Sequence, residues 1–130
     1  MATLNTSLTL SSSDVSSDSL SMTVTDSLTV VSPIISISKI TATTTGGNSI
    51  IVPNLDSPRY VYLKHTGLNS AGSSSGTDKV KVETADGTAI MELKIGEFAF
   101  FPHYAAGAGL LQLETTANTV QVEYAYFTRG

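Results

Sequence analysis

From Leu8 to Val30 the apolar side chains, Val15 apart, keep to even-numbered positions. Leu8, Leu10, Leu20, Met22, Val24, Leu28 and Val30 obey this rule, with Thr9, Ser21, Thr23, Thr25 and Thr29 between them. A period of two cannot be sustained by a helix, whose faces repeat every 3.6 residues. It describes a strand with one apolar and one polar face, written in Thr and Val, which favour strands. Residues 1–32 hold 16 Ser or Thr, the charges Asp14, Asp18 and Asp26, and no Gly, aromatic or basic residue. Such a composition ordinarily signals disorder, and the alternation argues against it. Thr3–Leu10 is similar to Thr23–Val30 twenty residues later, with Thr3/Thr23, Ser7/Ser27, Leu8/Leu28 and Thr9/Thr29 identical.

The composition changes near Pro33, dividing the chain into an N-terminal Ser/Thr-rich, β-forming arm (1–32) and a domain (33–130). The arm is expected to order against neighbouring subunits, the alternative being that its strands complete the chain's own sheet. From Pro33 onward strands and turns follow one another. Ile34 to Ala42 is β-branched, and its phase slips between Ile35/Ile37 and Ile40/Ala42, which predicts a bulge near Ser38–Lys39. Ser49–Val52, Arg59–Thr66, Val80 and Val82, Ala89–Ile95, Phe98–Pro102, Leu110–Leu113 and Val120–Phe127 read as strands. Thr45–Asn48, Asn54–Pro58, Leu68–Thr77 and His103–Gly109 read as turns or loops. Ala85-Asp86-Gly87 predicts a hairpin with a two-residue primed turn, since Asp-Gly supplies positive φ. No ten-residue stretch has helical periodicity. The expected fold class is all-β, an antiparallel sandwich or jelly roll carrying an extended N-terminal arm.

The 130 residues fit one modest core. The absence of Cys excludes disulfides, thiolate metal sites and a Cys nucleophile. A net charge of −4 argues against nucleic-acid binding. No apolar run approaches the length of a membrane-spanning helix, and the N-terminal stretch, whose first basic residue is Lys39, lacks the pattern of a signal peptide. Neither catalytic, cofactor nor metal residues are expected. Gly72-Ser-Ser-Ser-Gly76 fits the pattern of a hydrolase nucleophile, but that chemistry needs a helix behind the serine, and a Ser/Gly loop is the better reading. His65 shares a strand phase with Val61 and Leu63 and reads as a half-buried or interfacial residue; His103 follows Pro102 and is a second interface candidate. Of Glu83, Asp86, Glu92, Glu97, Glu114 and Glu123, alternation turns most toward solvent. Glu97, between Gly96 and an apolar run, is the exception, suited to accepting backbone N–H groups or pairing with Arg59 or Lys94.

Tyr60/Tyr62 and Tyr124/Tyr126 each place two rings on one strand face. With Leu8, Leu10, Leu20, Met22, Val24, Leu28 and Val30 they are the candidate interface residues, Tyr suiting a surface that is apolar with a polar handle. A carbohydrate-binding face is the rival reading of the tyrosines.

Three segments carry a resemblance. They are Ser7–Asp14 with Ser21–Val30; the strand Tyr60-Val-Tyr-Leu-Lys-His-Thr-Gly67; and Gly96-Glu-Phe-Ala-Phe-Phe-Pro102 with Val122-Glu-Tyr-Ala-Tyr-Phe127. Together they resemble small virion structural proteins of tailed bacteriophages, especially phages of marine and cyanobacterial hosts. The resemblance implies a β-rich, non-enzymatic protein located in the virion, either a capsid decoration (cement) protein or a tail, neck or fibre-attachment part. It implies a homo-oligomer, a trimer in the decoration case, with other virion proteins such as the major capsid protein as partners. A glycan-binding adhesion module is the alternative of a different class.

Overall fold

Alternating apolar and polar residues make strands that bury one face, and the described residues form nine strands. The computed structural model describes residues 1–54, 57–104 and 109–130, with side chains throughout except at 32–36. In chain order the strands are β1 (Ala2–Ser12), β2 (Leu20–Ala42), β3 (Ser49–Val52), β4 (Arg59–His65), β5 (Val80–Thr84), β6 (Ala89–Leu93), β7 (Phe98–His103), β8 (Leu111–Thr115) and β9 (Val120–Arg129). They form two antiparallel sheets, A in the order β1-β2-β9-β4-β7 and B in the order β3-β8-β5-β6. The described residues contain no helix. Parts of the expected loops Asn54–Pro58 and His103–Gly109, namely 55–56 and 105–108, lie outside the described residues.

Side chains from both sheets make one core. Ala42, Val61, Leu63, Val120, Val122 and Tyr126 come from sheet A. Ile51, Val52, Val80, Val82, Leu93, Leu111 and Leu113 come from sheet B. Within β4 the alternation read from the sequence holds at each residue: Arg59, Val61, Leu63 and His65 are buried, while Tyr60, Tyr62 and Lys64 are not. His65 is fully buried instead of half-buried or interfacial. Its Nδ1 accepts the Gly67 N–H at 3.0 Å and its Nε2 lies 2.9 Å from the Asp78 carbonyl, so both ring nitrogens are occupied within the chain. Arg59 is also fully buried, with its guanidinium carbon 5.8 Å from the centre of the Tyr126 ring.

Residues 1–32 do not stand apart as a separate strand system. β1 pairs antiparallel with the first half of β2, from Ala2↔Val30 to Ser12↔Leu20, and the second half of β2 pairs with β9. Within the single chain, therefore, these strands extend its own sheet A, and β2 runs past Pro33 without a break. The two similar segments of the sequence turn out to be the two facing strands of this hairpin. The phase slip expected near Ser38–Lys39 lies slightly upstream: the β2–β9 register is irregular between Val30 and Ser38 and regular from Ser38 to Ala42. Pro33 has no N–H to give to a ladder, which is a sufficient local cause.

The Asp86-Gly87 turn differs from the two-residue primed form. Gly87 has a φ of 84°, but no described non-glycine residue, Asp86 included, has positive φ, which excludes a primed turn with Asp86 in the left-handed region. Thr84 N–H instead donates to Thr88 O, and Gly87 N–H to Thr84 O, giving a three-residue loop with glycine at its positive-φ position. The Asp86 carboxylate holds this loop by accepting the Thr84 hydroxyl and the Thr88 N–H, and these bonds keep its pKa below the usual carboxylate range.

Candidate functional site

The pairing of β1 with β2 joins even-numbered residues to even-numbered residues. Leu4 faces Leu28, Leu8 faces Val24 and Leu10 faces Met22. All therefore lie on one face of the hairpin, interrupted once by the polar pair Thr6↔Asp26. The reverse face carries Thr3, Asn5, Ser7, Thr9 and Ser11 opposite Thr29, Ser27, Thr25, Thr23 and Ser21. It is stitched by its own side chains: Thr9 and Thr23 hydroxyls lie 3.2 Å apart, and Ser27 Oγ donates to Asn5 Oδ1 at 2.9 Å.

This polar face is satisfied by its own side chains and water, whereas the apolar face is only partly covered. Leu8, Leu10, Leu20, Met22 and Val24 are each between 40% and 53% exposed, whereas Leu28 is half-buried and Val30 is buried where the hairpin meets the body. A two-stranded hairpin is marginal by itself in water, and an exposed apolar stripe of this length marks a contact surface.

The outer face of sheet A, turned away from the core, continues the apolar surface. Tyr62 sits between Phe100 on β7 and Ala125 on β9, and Tyr60 between Pro102 and Phe127. Tyr60 and Phe100 stack with ring centres 5.9 Å apart, and the Arg129 guanidinium lies 5.2 Å from the Tyr60 ring centre. The Tyr62 hydroxyl donates to Glu123 Oε1 at 2.8 Å. Burial, and then the Glu123 carboxylate, push the Tyr62 phenol up to about 12, so it remains a neutral donor far into the alkaline range.

Between hairpin and sheet runs an apolar groove of about 860 Å³. One wall is the consecutive run Leu4 to Leu8 with Val24, and the other includes Ile37, Tyr62, Phe98, Phe100 and Phe127. Consecutive residues of a strand point to opposite faces, so a lining that takes all of Leu4 to Leu8 reaches the edge of β1 as well as its apolar side. Among the described residues none that lines the groove is charged.

The residues singled out from the sequence separate into three places. Leu8, Leu10, Leu20, Met22 and Val24 form the exposed stripe, with Leu28 and Val30 at its root. Tyr60 and Tyr62 stand on the outer face of sheet A beside the groove. Tyr124 and Tyr126 point to the opposite face: Tyr126 is 8% exposed and belongs to the core, and Tyr124 packs against it. Their register explains the inversion, since Val61 pairs with Tyr126 and Leu63 with Tyr124, placing these rings beside inward-pointing aliphatics. The sequence reading missed Leu4, Ile37, Phe98 and Phe100 as surface residues. Alternation within Phe98-Ala-Phe-Phe was the available signal, because it sets Phe98 and Phe100 against Ala99 and Phe101.

The other candidates have structural duties. Ser74, the middle serine of the Gly72–Gly76 tract, accepts the Gly76 N–H with its hydroxyl in an exposed loop. His103 closes β7 with Nε2 3.1 Å from the Gly109 carbonyl. Glu97 does accept a backbone N–H, that of Lys94 at 2.7 Å, but it is exposed. Of these carboxylates Glu83 is buried, 4% exposed, where alternation had suggested a solvent face, and Asp78 is buried as well. The β2–β3 turn covers Glu83: a Cβ built on Gly46 would lie 2.9 Å from Glu114 Oε2 and 3.4 Å from Glu83 Oε1. Among the described residues no group of three or more His, Asp or Glu side chains is placed to hold a metal ion.

Compared with known proteins, the chain matches no family model, no curated protein and no solved structure.

Proposed function

We propose that this chain is a virion structural protein of the tailed-phage type, a capsid decoration (cement) protein that attaches to its neighbours through the N-terminal hairpin. The observation that carries the reading is the exposed stripe Leu8, Leu10, Leu20, Met22 and Val24, backed by a wholly polar reverse face and opening onto an uncharged groove. A strand pair of this kind suits β-augmentation, in which backbone hydrogen bonds give affinity and alternate side chains find pockets on the partner. In this reading residues 1–32 act as an arm, the body is a jelly roll, and the assembled state is a homo-oligomer, a trimer matching the three-fold positions of an icosahedral shell.

The strand orders β2-β9-β4-β7 and β3-β8-β5-β6 support the jelly-roll part, being two four-stranded sheets between which the chain repeatedly crosses. The stacked Tyr60 speaks for assembly over glycan binding, because Phe100 and Arg129 already occupy its ring. A tail, neck or fibre-attachment role draws on the same surface.

The test is incorporation of the full-length protein into particles. Leu8→Asp with Val24→Asp should leave a folded protein, by circular dichroism, that no longer joins the particle. Unchanged incorporation would sink the hairpin reading. Copy number per particle then assigns the place: hundreds for a shell component, roughly three to twelve for a tail or neck part.

A further inference from the structure

We propose that three loops at one end of the two sheets form a second site, a polar pocket that binds a saccharide through hydroxyl hydrogen bonds, with the Ser75 side chain as its buried anchor. No residue of the hairpin lines this pocket, so the inference is independent of the assembly reading.

The pocket has a volume of about 600 Å³, within the range of small-molecule sites. Its lining comes from connections that each cross from one sheet to the other: 43–44 after β2, 69 and 74–76 between β4 and β5, and 117–119 between β8 and β9. The side chains there are those of Ser, Thr and Asn, with Ala117 the one apolar exception. They offer hydroxyls and amides, which donate and accept hydrogen bonds. An apolar or aromatic ligand finds no wall to lie against.

The β4–β5 connection, 66–79, is long and has one isolated bridge, Leu68↔Ser74. Ordered connections beyond about 12 residues with no strand or helix of their own are uncommon, and they usually carry function. This one is fixed by its own bonds. Asn69 Oδ1 accepts the Ala71 and Ser73 N–H groups at 2.9 and 3.1 Å. The loop is also tied to the far wall: Thr119 Oγ1 accepts the Ser70 N–H at 3.0 Å and donates to Ser70 Oγ at 2.9 Å, and Gln121 Nε2 donates to Asn69 O at 2.8 Å. The pocket is therefore set by folding, and a ligand does not bear the cost of ordering it.

Ser75 points to what the pocket receives. It is 5% exposed, and its Oγ has no hydrogen-bond partner in the chain. A buried hydroxyl left unpaired is costly, and because Ser75 lines the pocket a ligand can supply the bond. Asp78, also 5% exposed, stands in the same turn. Its N–H donates to Ser75 O at 3.3 Å and its Oδ1 accepts the Thr116 hydroxyl at 3.3 Å, while Oδ2 has no partner. Unpaired oxygens call for a ligand that brings donors, and the Asp78 carboxylate disfavours anions. A saccharide hydroxyl donates and accepts at once, as Ser75 does. Thr44 and Asn118 stand exposed on the rim, where further hydroxyls of the ligand lie.

The experiment is a residue-resolved NMR titration of the full-length protein with methyl α-D-glucopyranoside, methyl β-D-galactopyranoside and methyl α-D-mannopyranoside, and separately with calcium chloride. At least one glycoside should give saturable shifts confined to 43–44, 69–76 and 117–119, with a Kd of about 1–10 mM, the weak end of specific binding. Ser75→Ala should weaken that binding about 10-fold. It should also leave the melting temperature unchanged or raised, because the hydroxyl it removes has no partner in the chain. Asn118→Ala, an exposed change on the rim, should weaken binding too and serves if Ser75→Ala perturbs the fold. Binding that survives both substitutions, shifts centred on Tyr60 and Tyr62, or no saturable shift with any glycoside up to about 50 mM overturns the proposal. Shifts at these loops with calcium chloride and none with a glycoside overturn it in favour of a cation. A pocket that answers to neither holds ordered water on Ser75, and the assembly reading stands in every case.

Discussion

Glu83 and Glu114 stand together under the β2–β3 turn, and the arrangement sets a pH dependence. Burial raises the pKa of Glu83 above its ordinary 4.5, the adjacent Glu114 carboxylate raises it further, and Gln112 and Lys81 oppose them more weakly. The folded state therefore favours the protonated form. Its stabilising effect is full below pH 4.5 and is lost as pH rises from there through the higher folded-state value. Glu83→Gln should remove that loss, giving a protein more stable than wild type at pH 7 and indistinguishable from it in acid; thermal melts of both proteins between pH 4 and pH 8 check this. Gly46→Ala should change stability by less than about 1 kcal/mol, because the atom the new methyl meets is the far end of the flexible Glu114 side chain and Gly46 does not need positive φ; urea unfolding measures it. None of this was legible in the sequence. A period-two pattern says which way Glu83 points from sheet B but not that a loop folds back over that side.

At the scale of elements, the hairpin and the body have separate supports. The core cluster begins at Ala42, and only Val30 of the preceding residues is buried among those described. Removing residues 2–19 deletes β1 and its turn but leaves the core side chains in place, so body stability by urea unfolding should change by less than about 1 kcal/mol. Leu111→Ala or Leu63→Ala, each at a fully buried core site, should cost about 2–5 kcal/mol in the same assay. Met22→Ala, on the exposed stripe, should cost the isolated chain less than about 0.5 kcal/mol. This division was partly readable beforehand. Even spacing from Leu8 to Val30 identified the strands and their apolar side, and the change of composition at Pro33 marked the irregular stretch of β2. That the two similar segments pair with each other was not readable, because a period of two serves equally well for pairing within the chain or with another copy.

For the whole molecule, local pattern gave strand after strand, while their order across the sheets had to come from long-range pairing. Arg59–His65 shows why. Its alternation marks one face for the core, but nothing in those seven residues indicates that β9 lies on one side of it and β7 on the other. The inward turn of Tyr124 and Tyr126 has the same origin, since Val120, Val122 and both tyrosines share a phase and the apolar choice of Ala125 and Phe127 on the opposite phase left the sign open. The position of β9 in sheet A, between β2 and β4, also orders events in time. Ser12 can meet Leu20 as soon as the first thirty residues exist, and a hairpin forms in microseconds. Ala42 must wait for Val120, and β4 has no neighbour on that side until β9 has been made. On the ribosome the two strands of the hairpin are thus free to pair while the body is still an open chain. A lone hairpin is marginal, so both it and the body wait for β9, the last strand made, to be held in place.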